Sequence, residues 1–187
     1  MKKFELTNEF ITNMFGTKLF RIRALVEFGD VEAGELGGYV EKESNLGHDD
    51  NAWVYDNAWV YGDAQVSGNA LVCGDARVCG DARVCGDAQV SGDALVYGNA
   101  RVCGDARVCG DARVCGNGDY AYAHGFGSVN RTTTFFRLKD GGVGVRCGCF
   151  YGTLAQFRDK IRETHGETKK AQEYLMLADL MKLRFEK

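Results

Sequence analysis

The middle of the chain repeats a six-residue pattern of apolar and polar positions. Between Asp50 and Cys115, eleven consecutive units follow the form Gly-Asp/Asn-Ala-x-Val-x, with Asp50 and Asp56 in place of the Gly in the first two. The Ala recurs in every unit up to Ala112, and the Val recurs in every unit up to Val114. Because residues two apart on a strand point to the same side, we expect Ala and Val to face inward and the residue between them to face outward. The Gly-Asp or Gly-Asn pair tolerates turn conformations and predicts a bend after each short strand.

The order of small and aliphatic residues in these units resembles that of the hexapeptide-repeat family of left-handed parallel β-helices. In that family a small residue follows an aliphatic residue four positions later, as Ala82 follows Val78 here. The resemblance implies a mainly β fold in which three units form one coil of a three-sided prism. Eleven units would then give between three and four coils. We expect this prism to carry an N-terminal β cap and, at its other end, a C-terminal β-hairpin followed by a two-helix segment.

Units that lie 18 residues apart are expected to stack on the same face of the prism. The outward residues would form three columns: Trp53, Leu71, Gln89 and Arg107; Trp59, Arg77, Leu95 and Arg113; and Gln65, Arg83 and Arg101. No column consists of one residue type, which excludes a flat ice-binding plane. Among the cysteines of the repeat only Cys85 and Cys103 are direct neighbours, whereas a zinc site needs four convergent ligands. We therefore predict no metal site and no cofactor.

Residues 1–49 are expected to form cap strands and an irregular first coil, because the open end of a β-helix needs a cover. An alternation predicts a half-buried strand, in which one side carries Phe20, Ile22, Ala24, Val26 and Phe28 and the other carries Arg21, Arg23 and Glu27. The predicted partner of this strand is the segment around residues 10–14. The apolar residues of the first coil that we expect to face inward are Leu36, Tyr39, Val40 and Leu46.

The repeat section is assigned to residues 50–127, and a β-hairpin is assigned to residues 128–150. The strands of this hairpin are predicted at Thr133–Leu138 and Val143–Cys149, because each is rich in β-branched or aromatic residues. The polar segment Lys139–Gly142 between them is typical of a turn.

Residues 151–187 are expected to form a helical hairpin that acts as an end cap or in oligomerisation. A capping box at Thr153–Gln156 begins the first helix, which ends near His165, and the second helix runs from about Thr168 to Arg184. The second helix is apolar on two sides, so we expect it to be covered by more than one neighbour, including a second or third copy of the chain. The residues predicted to make this dimer or trimer contact are Tyr174, Leu177, Leu180 and Met181.

The amino-acid composition indicates the cellular compartment of the protein. Of the 187 residues, 25 are Gly and 8 are Cys, and Pro is absent. No apolar run approaches the roughly 20 residues of a membrane span, and the first residues do not resemble a secretion signal. We therefore expect a cytoplasmic protein with reduced thiols and no membrane contact, in the cytoplasm of the host cell if a phage encodes it.

Charge is distributed unevenly along the chain, whose net charge is only −3. The first 115 residues carry 11 basic and 18 acidic groups, a net charge of −7, and the remaining residues carry 12 and 8, a net charge of +4. The chain lacks the basic stripe of a nucleic-acid binder, so direct nucleic-acid binding is not expected. The charge difference between the two parts could instead orient a partner or a second copy.

The resemblance to β-helices also implies an enzymatic alternative, because members of that family are often acyltransferases that use an acyl-CoA-type donor. Such enzymes need a His as general base. The chain has three His, and only His124, just after the repeat, is placed for that role. The repeat also lacks the inserted loop that shapes the pocket of those enzymes. We assign no catalytic residue and favour a non-enzymatic function.

Several motifs outside the regular repeat resemble those of a set of phage and prophage proteins. They are the segment Leu19–Leu25, the link Leu36–Tyr39, the ending Cys147–Phe150, and Glu163–Gly166 before the last helix. Such proteins are often labelled as transferases on the basis of the repeat alone, which is an inference from fold to function. The resemblance implies a small non-enzymatic protein that inhibits a bacterial host or defence complex through protein–protein contacts.

Two groups of outward residues are candidate binding sites for such a bacterial protein. The aromatic candidates near the first coil are Trp53, Tyr55, Trp59 and Tyr61. Exposed aromatic residues often anchor interfaces, unless the N-terminal cap covers them. The basic candidates are Arg77, Arg83 and Arg101. Two further alternatives stay open: a sponge that binds a small nucleotide between protomers through such arginines, and a self-assembling structural protein.

Overall fold

The computed structural model describes residues 2–127 and 131–186. Parallel strands stacked into a β-solenoid occupy the middle of the chain. An antiparallel hairpin precedes the solenoid, and an antiparallel sheet with two helices follows it. The predicted mainly β fold class is therefore confirmed. Among the described residues, no helix is long and apolar enough to cross a membrane.

Three strands and one short 3₁₀ helix precede the repeat. They are β1 (Phe4–Thr12), β2 (Lys18–Ala24), β3 (Leu36–Val40) and the 3₁₀ helix Glu43–Asn45. β1 and β2 form the predicted antiparallel hairpin, with Phe10 opposite Phe20, and β2 pairs with β3. β2 ends at Ala24, so the prediction that this strand extends to Phe28 is wrong; Phe28 forms an isolated bridge with Val31 instead. β3 then pairs in parallel with a strand of the repeat, so the hairpin continues one sheet of the solenoid. The first-coil residues that are buried as predicted are Tyr39, Val40 and Leu46.

Two positions in this cap differ from the prediction. Leu36 was expected to face inward but is 48% exposed. Gly37, the next residue of β3, is buried instead, and a Cβ there would lie 2.8 Å from the Trp53 ring. Leu19 rather than Phe20 is fully buried at the start of β2, a strand whose pairing is irregular with both β1 and β3.

Each of the eleven repeat units contributes one strand of two residues. In chain order these strands are β4 (Trp53–Val54), β5 (Trp59–Val60), β6 (Gln65–Val66), β7 (Leu71–Val72), β8 (Arg77–Val78), β9 (Arg83–Val84), β10 (Gln89–Val90), β11 (Leu95–Val96), β12 (Arg101–Val102), β13 (Arg107–Val108) and β14 (Arg113–Val114). Strands in units 18 residues apart pair in parallel and in register, as Trp53 of β4 pairs with Leu71 of β7. The predicted stacking of units at this spacing is therefore confirmed.

The repeat strands form three parallel sheets, one on each side of the solenoid. One sheet contains β4, β7, β10 and β13, another contains β6, β9 and β12, and the third continues the cap strands with β5, β8, β11 and β14. Backbone N–H groups of one coil donate to carbonyl groups of the next, as Leu71 N does to Ala88 O at 2.9 Å. These bonds satisfy the polar backbone groups that a buried coil would otherwise leave unpaired.

Small and branched apolar side chains fill the inside of the solenoid. The Ala of every unit is fully buried, and the Val of every unit is at most 1% exposed. The residue between them is partly or fully exposed in all units except the first, where Trp53 is buried. The stacked Ala and Val side chains form a dense interior, so a change of volume or polarity in one coil disturbs the packing of both neighbouring coils.

The turn at Gly68 requires glycine for two reasons. Its φ is +69°, in the left-handed region that other residues rarely adopt. The turn also lies close to the next coil, since a Cβ at Gly68 would be 2.9 Å from the backbone N of Gly86. Both the backbone conformation and the available space therefore select against a side chain here.

Gly68→Ala is expected to destabilise the solenoid by about 1–3 kcal/mol, because the new Cβ adds left-handed strain and a close contact with the next coil. Equilibrium unfolding in urea measures this as a lower transition midpoint. Gly118→Ala is the matched control, since a Cβ at Gly118 would meet no atom within 4 Å. Equal midpoints for the two variants would contradict this account of the turn.

An antiparallel sheet of four strands follows the solenoid. Its strands, in both chain and sheet order, are β15 (Tyr120–Phe126), β16 (Arg131–Arg137), β17 (Val143–Cys147) and β18 (Phe150–Thr153). The pair formed by β16 and β17 is the predicted hairpin, which is confirmed, whereas the sequence pattern does not predict β15 and β18. Residues 128–130, with which the predicted hairpin segment begins, lie outside the described residues.

The second strand of the hairpin is shorter than predicted. β17 ends at Cys147, so the prediction that this strand extends to Cys149 is wrong. Gly148 has a φ of +58° and forms, with Cys149, a two-residue turn that brings Phe150 opposite Cys147. A left-handed residue ends the extended backbone, and the two thiols therefore do not lie on one side of a strand.

β16 joins the two hydrophobic cores of the protein, because successive side chains on a strand face opposite sides. Phe136 packs into the solenoid core, and Phe135 packs into a second core between the sheet and the helices. Arg107 N, at the end of the solenoid, donates to Thr134 Oγ1 of β16 at 2.9 Å. Apolar and polar contacts thus attach the sheet to the last coil.

Two helices follow the sheet, as predicted. They are α1 (Leu154–His165) and α2 (Lys169–Phe185). Thr153 caps α1 by accepting a hydrogen bond from Gln156 N at 3.3 Å, and Thr168 caps α2 in the same way. The buried residues that pack the helices onto the sheet are Phe157, Ile161, Ala171, Tyr174, Ala178, Met181 and Phe185.

Candidate functional site

Trp53, a candidate binding residue, is fully buried. The rings of Phe4 and Phe28 lie edge-on to it, with centroids 6.2 Å and 5.3 Å away. The N-terminal cap therefore covers the indole, and Trp53 is a core residue that does not reach the surface. Sequence reasoning could not decide this, because the covering residues lie far from Trp53 in the chain.

Trp59 forms a small, partly exposed site with Arg77, the next residue in its column. The guanidinium carbon of Arg77 lies 4.3 Å from the centroid of the Trp59 ring, which is a cation–π contact. Tyr55 and Tyr61 on neighbouring corners are half-buried. Burial and the neighbouring Cys79 thiol raise the pKa of Tyr61 to about 12, so its hydroxyl stays protonated at neutral pH.

Arg83 and Arg101 lie in register on another side of the solenoid, as paired residues of β9 and β12. Both side chains are exposed, and neither guanidinium forms an ion pair with a described residue. Their sheet does not contain Trp59 or Arg77. The structure therefore places the candidate arginines in two separate sites, not in one.

The corner next to these arginines brings two thiols together. Cys85 and Cys103 occupy the same position on neighbouring coils, where Cys85 N donates to Val102 O at 3.0 Å. Burial raises the pKa of the Cys85 thiol, and the adjacent Cys103 raises it further. Cys103 Sγ also lies 3.8 Å from the hydroxyl of Tyr120. Among the described residues, no group of three or more His, Cys, Asp or Glu side chains is arranged to hold a metal ion.

The three His residues lie in different parts of the molecule. His48 stacks on Phe4 in the cap, with ring centroids 4.5 Å apart. His124 is exposed on β15, and its Nδ1 lies within hydrogen-bond distance of Thr132 Oγ1 at 2.8 Å and farther from Asp105 Oδ2, at 3.7 Å. His165 ends α1 and stacks on a tyrosine of α2. The exposed position of its ring leaves His124 as the candidate residue for the acyltransferase alternative.

The outer side of α2 carries three exposed large apolar side chains. Met176, Leu180 and Leu183 are 71%, 54% and 69% exposed, respectively. Their spacing of four and three residues places them along one side of the helix. We call these three residues the apolar stripe.

Of the four predicted oligomerisation residues, only Leu180 belongs to the apolar stripe. Tyr174 and Met181 are buried against the sheet of their own chain, and Leu177 is half-buried beside them. The sequence shows that α2 is apolar on two sides, but the side that packs inward is chosen by the sheet. Met176 could have been found from its four-residue spacing to Leu180.

A cleft of about 240 Å³ lies between α1 and the turn that follows β17. We call it the C-terminal cleft. Its apolar lining includes Phe150, Phe157 and Ile161, and its basic lining is Arg131, Lys160 and His165. Sequence reasoning missed this site, because it forms only when α1 packs against strands whose pairing the sequence does not reveal.

Parallel two-residue strands, three sheets and an interior of Ala and Val make this chain a β-solenoid protein. Its regular section is similar to the YdcK beta solenoid repeat, the family profile of which matches residues 64–80, 76–91 and 88–104. The starts of successive matches are 12 residues apart, the length of two repeat units. The similarity therefore concerns the regular repeat and not the two ends of the chain. No curated protein matches the sequence.

Proposed function

We propose that this chain is a non-enzymatic binding protein of a phage or prophage that inhibits a bacterial host or defence complex through protein–protein contacts. The motifs outside the repeat, from Leu19–Leu25 to Glu163–Gly166, support a phage origin through the resemblance described for the sequence. The observation that carries the proposal is the apolar stripe of Met176, Leu180 and Leu183, which no described residue covers.

The apolar stripe has the form of a protein-docking element. Apolar side chains at positions i, i+4 and i+7 are the anchors with which an amphipathic helix enters an apolar groove of its partner. Contiguous apolar patches on a protein surface often mark interaction sites. Burying one such side chain in a complex would contribute about 1.5–3 kcal/mol.

α2 is held in place by contacts on both of its neighbours, so it can present the apolar stripe without rearranging. Arg158 of α1 forms an ion pair with Asp179 of α2 at 2.7 Å. Arg137 of β16 donates to the carbonyl of Phe185, the last residue of the helix, at 3.1 Å. A binding element that is already ordered loses little conformational entropy when it docks.

The net charge of the part of the chain that carries the apolar stripe indicates the chemistry of the partner. Charges of both signs lie next to the stripe itself, with Arg184 beside Leu183 and Asp179 beside Leu180. The part of the chain after residue 115 carries 12 basic and 8 acidic groups, a net charge of +4. We therefore expect the bacterial partner to present an apolar groove with an acidic rim.

Capture of bacterial proteins by the tagged chain, followed by Kd measurements with the purified partner, tests the proposal. One bacterial complex should bind in fixed stoichiometry, and Leu180→Glu/Leu183→Glu should weaken its binding by roughly 100-fold or more. Met14→Glu is the matched control, because it replaces an apolar side chain that is 87% exposed in the N-terminal hairpin. Its Kd should equal that of the wild type.

Unchanged binding by the double variant would contradict the role of the apolar stripe. Light scattering tests whether a second copy of the chain covers the apolar stripe. In that case no bacterial partner would be captured, the wild type would be a dimer, and the double variant would be a monomer. That result would overturn the proposal. Turnover of an acyl-CoA that His124→Ala abolishes would overturn it in favour of the acyltransferase.

A further inference from the structure

The C-terminal cleft has an aromatic wall. Phe157 of α1 is buried and lies between Phe150 of β18 and Tyr174 of α2, with ring centroids 5.4 Å and 5.8 Å away, respectively. Ile161, one turn further along α1, is also buried and lines the same cleft. A flat apolar group can pack against such a wall with little loss of contact.

The same cleft has a basic rim. Its charged lining consists of Arg131 and Lys160, with His165 beside them, and the described residues that line it include no Asp or Glu. Lys160 forms an ion pair with Glu163 at 2.9 Å, but both side chains are exposed and such pairs are weak. The guanidinium of Arg131 forms no hydrogen bond or ion pair with a described residue. The positive charge at the rim is therefore available to a ligand.

The turn after β17 and the residues behind it fix the shape of the cleft. The guanidinium of Arg131 lies over Gly148, where a Cβ would overlap Nη1. Thr133 is buried and its hydroxyl donates to Cys147 Sγ at 3.2 Å, and Cys147 Sγ lies 3.8 Å from the hydroxyl of Tyr174. These contacts connect the sheet with α2 behind the cleft, so the site is formed before any ligand arrives.

We infer that the C-terminal cleft binds a small ligand that has one aromatic ring and one anionic group, such as a phosphate monoester. The ring packs against the wall formed by Phe150, Phe157 and Tyr174, and the anion accepts hydrogen bonds from Arg131 and Lys160. The cleft volume of about 240 Å³ is below the roughly 300–1,000 Å³ of pockets for drug-sized ligands, which favours a single ring. This binding site goes beyond the proposed protein contact, which uses the outer side of α2.

Titration with phenyl phosphate, followed by calorimetry and NMR chemical shifts, tests the inference. Phenyl phosphate should bind at least about tenfold more tightly than phenol, which lacks the anion, and than inorganic phosphate, which lacks the ring. Arg131→Gln and Lys160→Gln should each weaken its binding by roughly tenfold, because each variant removes a charge-assisted hydrogen bond. Arg162→Gln is the matched control: Arg162 is exposed on α1, pairs with Asp159 at 3.2 Å and does not line the cleft.

The expected pattern is a set of chemical-shift changes centred on Cys147, Phe150 and His165, with an unchanged Kd for Arg162→Gln. Equal affinity for phenyl phosphate and phenol would overturn the inference, because it would leave the basic rim without a role. Wild-type affinity in Arg131→Gln, or chemical-shift changes centred elsewhere, would also overturn it. Leu180→Glu/Leu183→Glu should bind phenyl phosphate like the wild type, so this test is independent of the proposed protein contact.

Discussion

Val84→Asp is expected to unfold the solenoid. Val84 is fully buried and pairs in register with strands of both neighbouring coils, where Val66 and Val102 occupy the equivalent positions. A carboxyl group in this apolar row would have no polar partner, and burying it would cost on the order of 5 kcal/mol or more. That cost is comparable with the whole stability of a typical domain, about 5–15 kcal/mol.

Circular dichroism and thermal unfolding measure this effect. Arg83→Asp is the matched control, because it places the same carboxylate on the neighbouring, exposed position of the same strand, and its Tm should stay within a few degrees of the wild type. Burial raises the pKa of the introduced carboxyl, so Val84→Asp should lose less stability relative to wild type at about pH 4 than at about pH 8. A cooperative Val84→Asp transition near the wild-type Tm would show that Val84 does not face inward.

The solenoid can be predicted from the sequence because the Ala and Val positions have the same buried environment in all eleven units. The alternation from Ala82 to Val84 alone leaves the inward side undetermined, but its recurrence with Gly at a fixed distance fixes both the side and the turn. Three units per coil then give the register between Trp53 and Leu71. None of these steps needs a contact between distant parts of the chain.

The ends of the molecule do need such contacts, and the predictions there were less accurate. Leu36 fits the pattern of an inward residue, yet its neighbour Gly37 is the buried residue and lies against the Trp53 ring. Tyr120 and Tyr122 are two residues apart on β15, but the first is buried in the solenoid core and the second is 41% exposed. The pattern of β15 itself does not show where the solenoid core stops.

The candidate sites depend even more on tertiary packing. A helix that is apolar on two sides needs a packing partner on each side, but its sequence does not show which side packs against its own chain. In α2 the sheet buries Tyr174 and Met181, which leaves Leu180 outside. The C-terminal cleft has no periodic signal at all, because its basic rim combines residues from β16 and α1, such as Arg131 and Lys160.

Oxidation with glutathione disulfide is expected to link Cys85 to Cys103, and no other pair of thiols in the repeat. β9 pairs with β12 in register, so the Cα atoms of these cysteines lie about 4.8 Å apart, within the roughly 4.4–6.8 Å that disulfides span. In the other two thiol columns a residue of the intervening coil separates the cysteines, at roughly twice that distance. These separated pairs are Cys73 with Cys109 and Cys79 with Cys115.

The reaction consumes one glutathione disulfide for each link. One cysteine thiolate attacks the disulfide and releases a glutathione thiol, and the second thiolate then displaces the remaining glutathione as the protein disulfide forms. Only the thiolate attacks, and burial raises the pKa of the Cys85 thiol. The thiolate fraction is therefore small at neutral pH, and the link should form faster as the pH rises from about 7 to about 9.

The link should stabilise the solenoid by about 3 kcal/mol. The two cysteines are 18 residues apart, and a disulfide that closes a loop of roughly 15 residues in the unfolded chain contributes about that much. Peptide mapping by mass spectrometry without reductant identifies the linked pair, and urea unfolding measures the rise in midpoint over the reduced protein. Cys103→Ser should abolish both results, whereas Cys79→Ser, which removes a separated thiol, should change neither. A link between other cysteines of the repeat would show that neighbouring coils do not hold Cys85 and Cys103 at the spacing of paired strands.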